Sequence, residues 1–169
     1  MSDPRSKISL SNPWHLLATG FGSGLAPMVP GTIGTLAAVP LYLLLAHLPL
    51  AWYLGAIVVA SLVGIKLCQV TSDDMQVHDH GSIVWDEFAG FWITMLIVPL
   101  WQLPVFDWRW LVGGFVLFRF FDMLKPWPIS WLDQRVHGGL GIMLDDIVAG
   151  IMAAISLGLL GHWAGWYHV

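Results

Sequence analysis

The chain of 169 residues is 57% hydrophobic and only 11% charged, with eleven tryptophans, whereas soluble domains carry about 25% charged residues. Its net charge of −4 excludes a nucleic-acid surface, which needs clustered cations to displace counterions, and its single cysteine, Cys68, excludes an intrachain disulfide or a multi-cysteine metal site. The length suits one domain over residues 1–169, and the composition points to an all-α, multi-pass membrane bundle whose tryptophans favour the membrane–water boundary.

The polar N-terminus, Met1–Asn12, lacks the apolar core and cleavage-like ending of a signal peptide. From Ile8 to Ile65 there is no Lys, Arg, Asp or Glu. Within that stretch Leu36–Leu48 and Leu50–Ile65 are apolar blocks joined at Pro49, the pattern of a helical hairpin with a tight turn. A third block, Phe88–Leu103, holds Pro99 near its end; a fourth runs from Trp110 to Phe121 and a fifth from Ile147 to about Trp166. Each is expected to be helical, since a long apolar run in lipid must satisfy its own backbone groups. A full span takes about 20 residues, so three to five spans are expected, some of them short or half-inserted.

With all the blocks crossing and the N-terminus in the cytoplasm, Arg5, Lys7, Lys66, Arg119, Lys125 and Arg135 fall on the cytoplasmic side and only Arg109 outside, in keeping with the positive-inside bias. The same topology gathers three polar stretches, Gly20–Gly34, Thr71–Glu87 and Arg119–Asp146, on that face. Ten of the eleven acids go with them, Asp107 being the exception. A faint echo links Gly81–Gly90 with Gly141–Gly150: each has a glycine, a short apolar run, two acids and a small-residue helix entry.

Asp86-Glu87 and Asp145-Asp146 directly precede apolar blocks and are read as helix starts. Acids there cap free N–H groups and complement the helix dipole, yet a desolvated carboxylate is costly unless paired or metal-bound. Gly90, four residues after Asp86, and Gly150, five residues after Asp145, permit two helices to approach closely. The pairs would then present their carboxylates to one point and suit a hard cation such as Mg²⁺, which takes one or two carboxylates plus waters and substrate phosphate.

Arg119, Asp122 and Lys125 are spaced by three and share a helical face before Pro126 and Pro128 stop the helix. They read either as an ion-pair ladder or as a phosphate site, with Arg119 and Lys125 on the phosphate and Asp122 on the metal or on Arg119. Gly20–Gly34 has neither P-loop nor Rossmann spacing. Its glycines, with Thr32 and Thr35 at a helix N-terminus, suit an anion; a re-entrant turn explains them equally well. His78-Asp79-His80 reads as a surface loop, and His137, beside two glycines, suits acid–base work. His15, His47, His162 and His168 read as interfacial, and Met123, Met143 and Met152 as core filler.

Cys68 has no arginine a few residues downstream, which excludes a cysteine phosphatase. What remains is a carboxylate-held metal that activates water and neutralises phosphoryl oxygens. The segments Asn12–Leu17, Gly20–Gly34, Val77–Phe88, Phe118–Ile129 and Val136–Gly150 resemble the bacterial phosphatidylglycerophosphatase A family, in order and over nearly the whole chain. The resemblance implies an all-helical, Mg²⁺-dependent phosphatase of the cell inner membrane with its active site facing the cytoplasm. Its phospholipid substrate would be phosphatidylglycerophosphate, hydrolysed to phosphatidylglycerol and phosphate.

The matched polar positions are Asp86, Glu87, Arg119, Asp122, Lys125, Asp145 and Asp146. On the residues themselves, Asp86, Glu87, Asp145 and Asp146 are the expected Mg²⁺ ligands. Asp86, Glu87, Asp122 and Asp146 are the expected catalytic set, and Arg119, Lys125 and Thr32 the expected phosphate ligands. Trp85, Trp127 and Trp131 would mark head-group depth. A rival class, a small cation channel or transporter with a carboxylate-lined path, predicts acids near mid-span rather than at block ends.

Overall fold

The computed structural model describes residues 3–167, which form eight α-helices and, among those residues, no strand. α1 (Pro13–Ala18) starts where the Asn12 side chain accepts the Trp14 N–H at 3.0 Å, satisfying one orphan donor of the helix end. α2 (Pro30–Leu45) starts on a proline, whose missing N–H is no loss at a first helical position. The hairpin expected at Pro49 is present, and α3 (Leu50–Met75) follows it.

α3 does not end at Ile65. It runs on through Lys66 to Met75, where Lys66, Asp73 and Asp74 are exposed and Gln69 donates to Asp73 one turn on at 2.8 Å. The third apolar block breaks into α4 (Trp85–Thr94) and α5 (Ile97–Leu100). Pro99 has no N–H for the carbonyl of residue 95, and its ring crowds that carbonyl. α6 (Trp108–Leu124) starts under Asp107, whose carboxylate accepts the Arg109 N–H at 3.0 Å. The short α7 (Ile129–Asp133) leads to α8 (Gly138–Trp163), which begins well ahead of Ile147, where hydropathy alone would start it.

α8 is the central post of the bundle, packed against α3, α4, α6 and α7. It meets α4 backbone to backbone. A Cβ on Gly150 would run into the Gly90 carbonyl, and one on Gly90 would sit 2.7 Å from the Asp146 carbonyl. Such contact between small residues is how helices associate where burial from water offers little drive. Tyr42, Tyr53, Phe88, Phe91, Trp110 and Phe118 fill the core around this seam.

The outer surface is apolar as well. Val58 and Leu62 on α3, Val112, Val116 and Phe120 on α6, and Ile151, Ile155 and Leu159 on α8 are all at least 46% exposed, far more contiguous apolar surface than a soluble monomer shows. Met123, expected in the core, joins this face at 70% exposure, whereas Met143 is buried. Exposed tryptophans rim both ends: Trp14, Trp127 and Trp131 at one, Trp52, Trp101, Trp108 and Trp163 at the other. α3 and α8, of 26 residues each, are long and apolar enough to cross a membrane. α2 is apolar but shorter, and the 10 residues of α4 fall well below the ~20 of a full span.

Gly150→Ala tests the α4–α8 seam. Overfilling a packed contact costs about 1–3 kcal/mol, so the detergent-solubilised variant should melt on the order of 2–10 °C lower. An unchanged melting temperature would show that the helices do not touch here.

Candidate active site

Polar stretches distant in the chain meet at one end of the bundle. The Val84 N–H donates to the Ala18 carbonyl at 2.8 Å, which ties the α4 entry to the end of α1. Gly139 N–H donates to Gln69 Oε1 and Gly138 N–H to His78 Nε2, both at 2.8 Å, which ties the start of α8 to the end of α3 and its following loop. His15, expected at the interface, is instead buried. Its Nδ1 accepts the Ser9 N–H at 3.0 Å, and Nε2 faces Asp74 Oδ2 at 2.9 Å as a donor. His47 lies at the opposite end against Phe106, and His168 lies outside the described residues.

Asp86 and Glu87 occupy the first turn of α4, 9% and 8% exposed; Asp145 and Asp146 are 5% and 3% exposed. The second pair does not begin a helix, as read from the sequence. It sits about two turns inside α8, so capping explains only the first pair. Asp86, Glu87, Asp122 and Asp146 are all charged neighbours of one another. Among the described residues, Arg119 of α6 is the one cation in contact with this group. Its Nη1 is 3.2 Å from Glu87 Oε1 and 2.5 Å from Asp122 Oδ2.

Several buried atoms have no partner here: Asp86 Oδ1, Glu87 Oε2, Asp145 Oδ1, Asp146 Oδ2 and Arg119 Nε. Burial works against the charged form of every carboxylate, and one guanidinium cannot compensate four. The arrangement therefore favours added positive charge. No three His, Cys, Asp or Glu side chains among the described residues form a ready-made cage. Mg²⁺ does not need one, since it binds through one or two carboxylates and keeps waters and phosphate oxygens for the rest. The donor set, all hard anionic oxygens, fits such an ion.

Gly31 and Gly34, in the first turns of α2, make room for this group. A Cβ on Gly31 would collide with Glu87 Oε1 and lie 3.0 Å from Arg119 Nη2; one on Gly34 would lie 2.6 Å from Glu87 Oε2. The sequence offers these glycines as part of an anion-binding loop or a re-entrant turn, but not as the seat of a carboxylate, because Glu87 is remote from them in the chain. Thr32 lies beside Arg119 on the wall of a common groove.

Lys125 is displaced from the face it was expected to share with Arg119 and Asp122. It closes α6 in the left-handed conformation, φ 42°, with Nζ 2.8 Å from both Asp133 Oδ1 and Asp145 Oδ2. Burial works to lower the Lys125 ammonium, but the two carboxylates outweigh it and hold it above the usual lysine range. Asp145 is thereby turned toward Lys125, and Asp122 joins the acids around Arg119. His78 and His137 lie ring to ring at 5.4 Å near this rim. Trp85 does not mark a surface depth, since its indole N–H donates inward to the Ala60 carbonyl at 3.0 Å, while Trp127 and Trp131 are exposed.

An all-helical bundle whose buried carboxylates surround one arginine is a class of protein equipped to handle a phosphoryl group. The chain belongs to the phosphatidylglycerophosphatase A family, whose model matches residues 16–161. It is 55% identical over 158 residues to the phosphatidylglycerophosphatase A of Escherichia coli K12, covering 94% of this chain and 89% of that protein. It is 47% identical over 163 residues to the protein of the same name from Haemophilus influenzae, covering 96% and 97%. A Bacteroides thetaiotaomicron protein named as a candidate phosphatidylinositol-3-phosphatase is 36% identical over 148 residues, covering 84% and 89%. No solved structure matches the chain.

Asp133 offers a pH test of the rim. Its bond with Lys125 holds its carboxyl below the ordinary range. A carboxyl lowered by folding stabilises the protein above its unfolded value of about 4, and the contribution is lost as pH falls through the lowered value. Asp133→Asn should cost at most about 1 kcal/mol at pH 7, the exposed pair being screened by solvent. In thermal melts the gap between variant and parent should close as pH falls below the ordinary carboxylate range; a gap that persists there would mean that Asp133 acts by packing.

Proposed function

We propose that this protein is a Mg²⁺-dependent phosphatase of the bacterial inner membrane that hydrolyses phosphatidylglycerophosphate to phosphatidylglycerol and inorganic phosphate, with its active site facing the cytoplasm. One observation carries the reading: Asp86, Glu87 and Asp146 have buried, unpartnered oxygens in one cluster with Asp122, and the one cation in contact with that cluster among the described residues, Arg119, which pairs with Glu87 and Asp122, has an unpartnered Nε of its own. The relatives from Escherichia coli and Haemophilus influenzae bear the name of this activity. Residence in a bilayer is supported by the apolar outer faces and by tryptophan rims at both ends. The orientation is supported by Lys7, Arg119, Lys125 and Arg135 at the site end against Arg109 at the other.

Asp86, Glu87 and Asp146 would hold Mg²⁺, with Asp122 adjoining and Asp145 presenting its free Oδ1. Bound there, the ion would neutralise phosphoryl oxygens and ease deprotonation of a water. Arg119 receives the terminal phosphate, because a guanidinium offers paired donors and its Nε is unclaimed. Asp122 and Glu87 fix the plane of that guanidinium through Nη1. Thr32 adds a hydroxyl and a helix N-terminus on the same side. Lys125, clamped by two carboxylates, contributes positive charge at the rim. Water adds to phosphorus, the bond from phosphorus to the glycerol oxygen breaks, and that oxygen leaves with a proton while the acyl chains stay in lipid. Acids gathered at one end of the bundle suit this reaction better than a path for cations through it, which needs acids along its length.

Asp86→Asn and Asp146→Asn should each lower phosphate release from phosphatidylglycerophosphate at least ~100-fold, with helical content and insertion unchanged. EDTA should silence the parent and Mg²⁺ restore it. Retained turnover in both variants would refute the assignment.

A further inference from the structure

The seam between α2 and α6 is loose: the two helices barely touch, whereas α2 packs closely on α4 and α6 on α8. Two grooves of about 520 and 240 Å³ run along this seam and share Phe115. The first begins at Thr32 and Arg119. The second continues past Leu36, Val39 and Val112 toward the opposite end. Thr32, Leu36 and Val39 follow one stripe of α2, so the track extends about 10 Å from the charged end at 1.5 Å per residue. Below Arg119 every wall is apolar, and Leu36, Val112 and Val116 are 57%, 51% and 56% exposed, so the crevice opens sideways on the outer face.

We propose that this seam is the acyl-chain track of the substrate: one chain of a phospholipid phosphomonoester lies between α2 and α6 while its terminal phosphate meets Arg119 and Thr32. The inference rests on the phosphatase reading above and adds the route by which the lipid reaches the site. Its occupant is named by charge complementarity, because the groove's walls are apolar except at the end where Arg119 and Thr32 line it. The drive is not hydrophobic, since a chain leaving lipid for an apolar groove gains little by burial. It is the van der Waals fit of a chain tethered to a fixed head group. A third groove, of about 420 Å³ between α2 and α3, is the natural rival. It is lined by Leu17, Leu41, Val59, Val63 and Trp85 among others, and it reaches no cation.

The test uses the full-length protein in phosphatidylglycerol vesicles with phosphatidylglycerophosphate carrying a diazirine midway along one acyl chain. After irradiation, peptide mapping should place the label on Leu36, Val39, Val112 and Phe115. Label concentrated on the α2–α3 groove, or spread evenly around the bundle, would overturn the track. Phosphate release is followed in an unirradiated portion, so that missing turnover counts against the reaction and misplaced label counts against the groove alone. A second arm compares long-chain with dihexanoyl substrate. Val112→Trp should lower the long-chain to short-chain ratio of kcat/KM about tenfold, near the low end of what overfilling a packed site costs. Val59→Trp in the rival groove should leave the ratio unchanged. The opposite pattern would assign the chain to the α2–α3 groove.

Discussion

Arg119 holds Glu87 at 3.2 Å and Asp122 at 2.5 Å, and the site end of the bundle is organised around the charge this leaves unbalanced. Asp86 and Asp146 share the same dry corner with no cation in contact among the described residues. A stable fold does not keep such a group ionised without something positive to offset it, because the cost of a desolvated carboxylate exceeds that of most single interactions. The imbalance is therefore the feature that most strongly points to a bound ligand. On the reading above, a hard cation and a phosphate together restore the balance, the cation offsetting the acids and the phosphate taking up the unused face of Arg119.

Holding four acids together requires the helices that carry them to approach more closely than ordinary side chains allow. Gly90 and Gly150 let α4 and α8 touch backbone to backbone, which sets Asp86 against Asp146. Gly31 and Gly34 let the start of α2 come down over Glu87 and Arg119. Lys125, by ending α6 in a left-handed turn, draws Asp145 and Asp133 to the rim and away from the acids around Arg119. Small residues and a helix cap thus sort the acids into a group around Arg119 and a pair held by Lys125.

Much of this was legible in the sequence. The acid pairs, the glycines about one turn behind them and the arginine all carry signals in residue type and spacing, and the hairpin at Pro49 follows from a proline between apolar blocks. What was not legible depends on tertiary contact. Hydropathy cannot show that α8 starts at Gly138, because a polar, glycine-rich turn becomes helical only when Gln69 accepts the Gly139 N–H. Nor does spacing by three reveal that Lys125 leaves its helical face, since the departure is a backbone choice at the helix end. His15 looks interfacial beside tryptophan, but Ser9 and Asp74 satisfy both its nitrogens and take it inside. The role of Gly31 depends on Glu87, a residue that no local pattern connects to it.

The central claim is that these buried acids form one cation site. Mn²⁺, a spectroscopic stand-in for Mg²⁺, can be titrated into the detergent-solubilised protein while its free-ion electron paramagnetic resonance signal is followed. The account predicts saturable binding in the parent, loss of that binding in an Asp86→Asn, Asp146→Asn double variant, and its retention in Asp133→Asn, which alters only the rim. Equal binding by the parent and the double variant, or no binding by the parent, would contradict it.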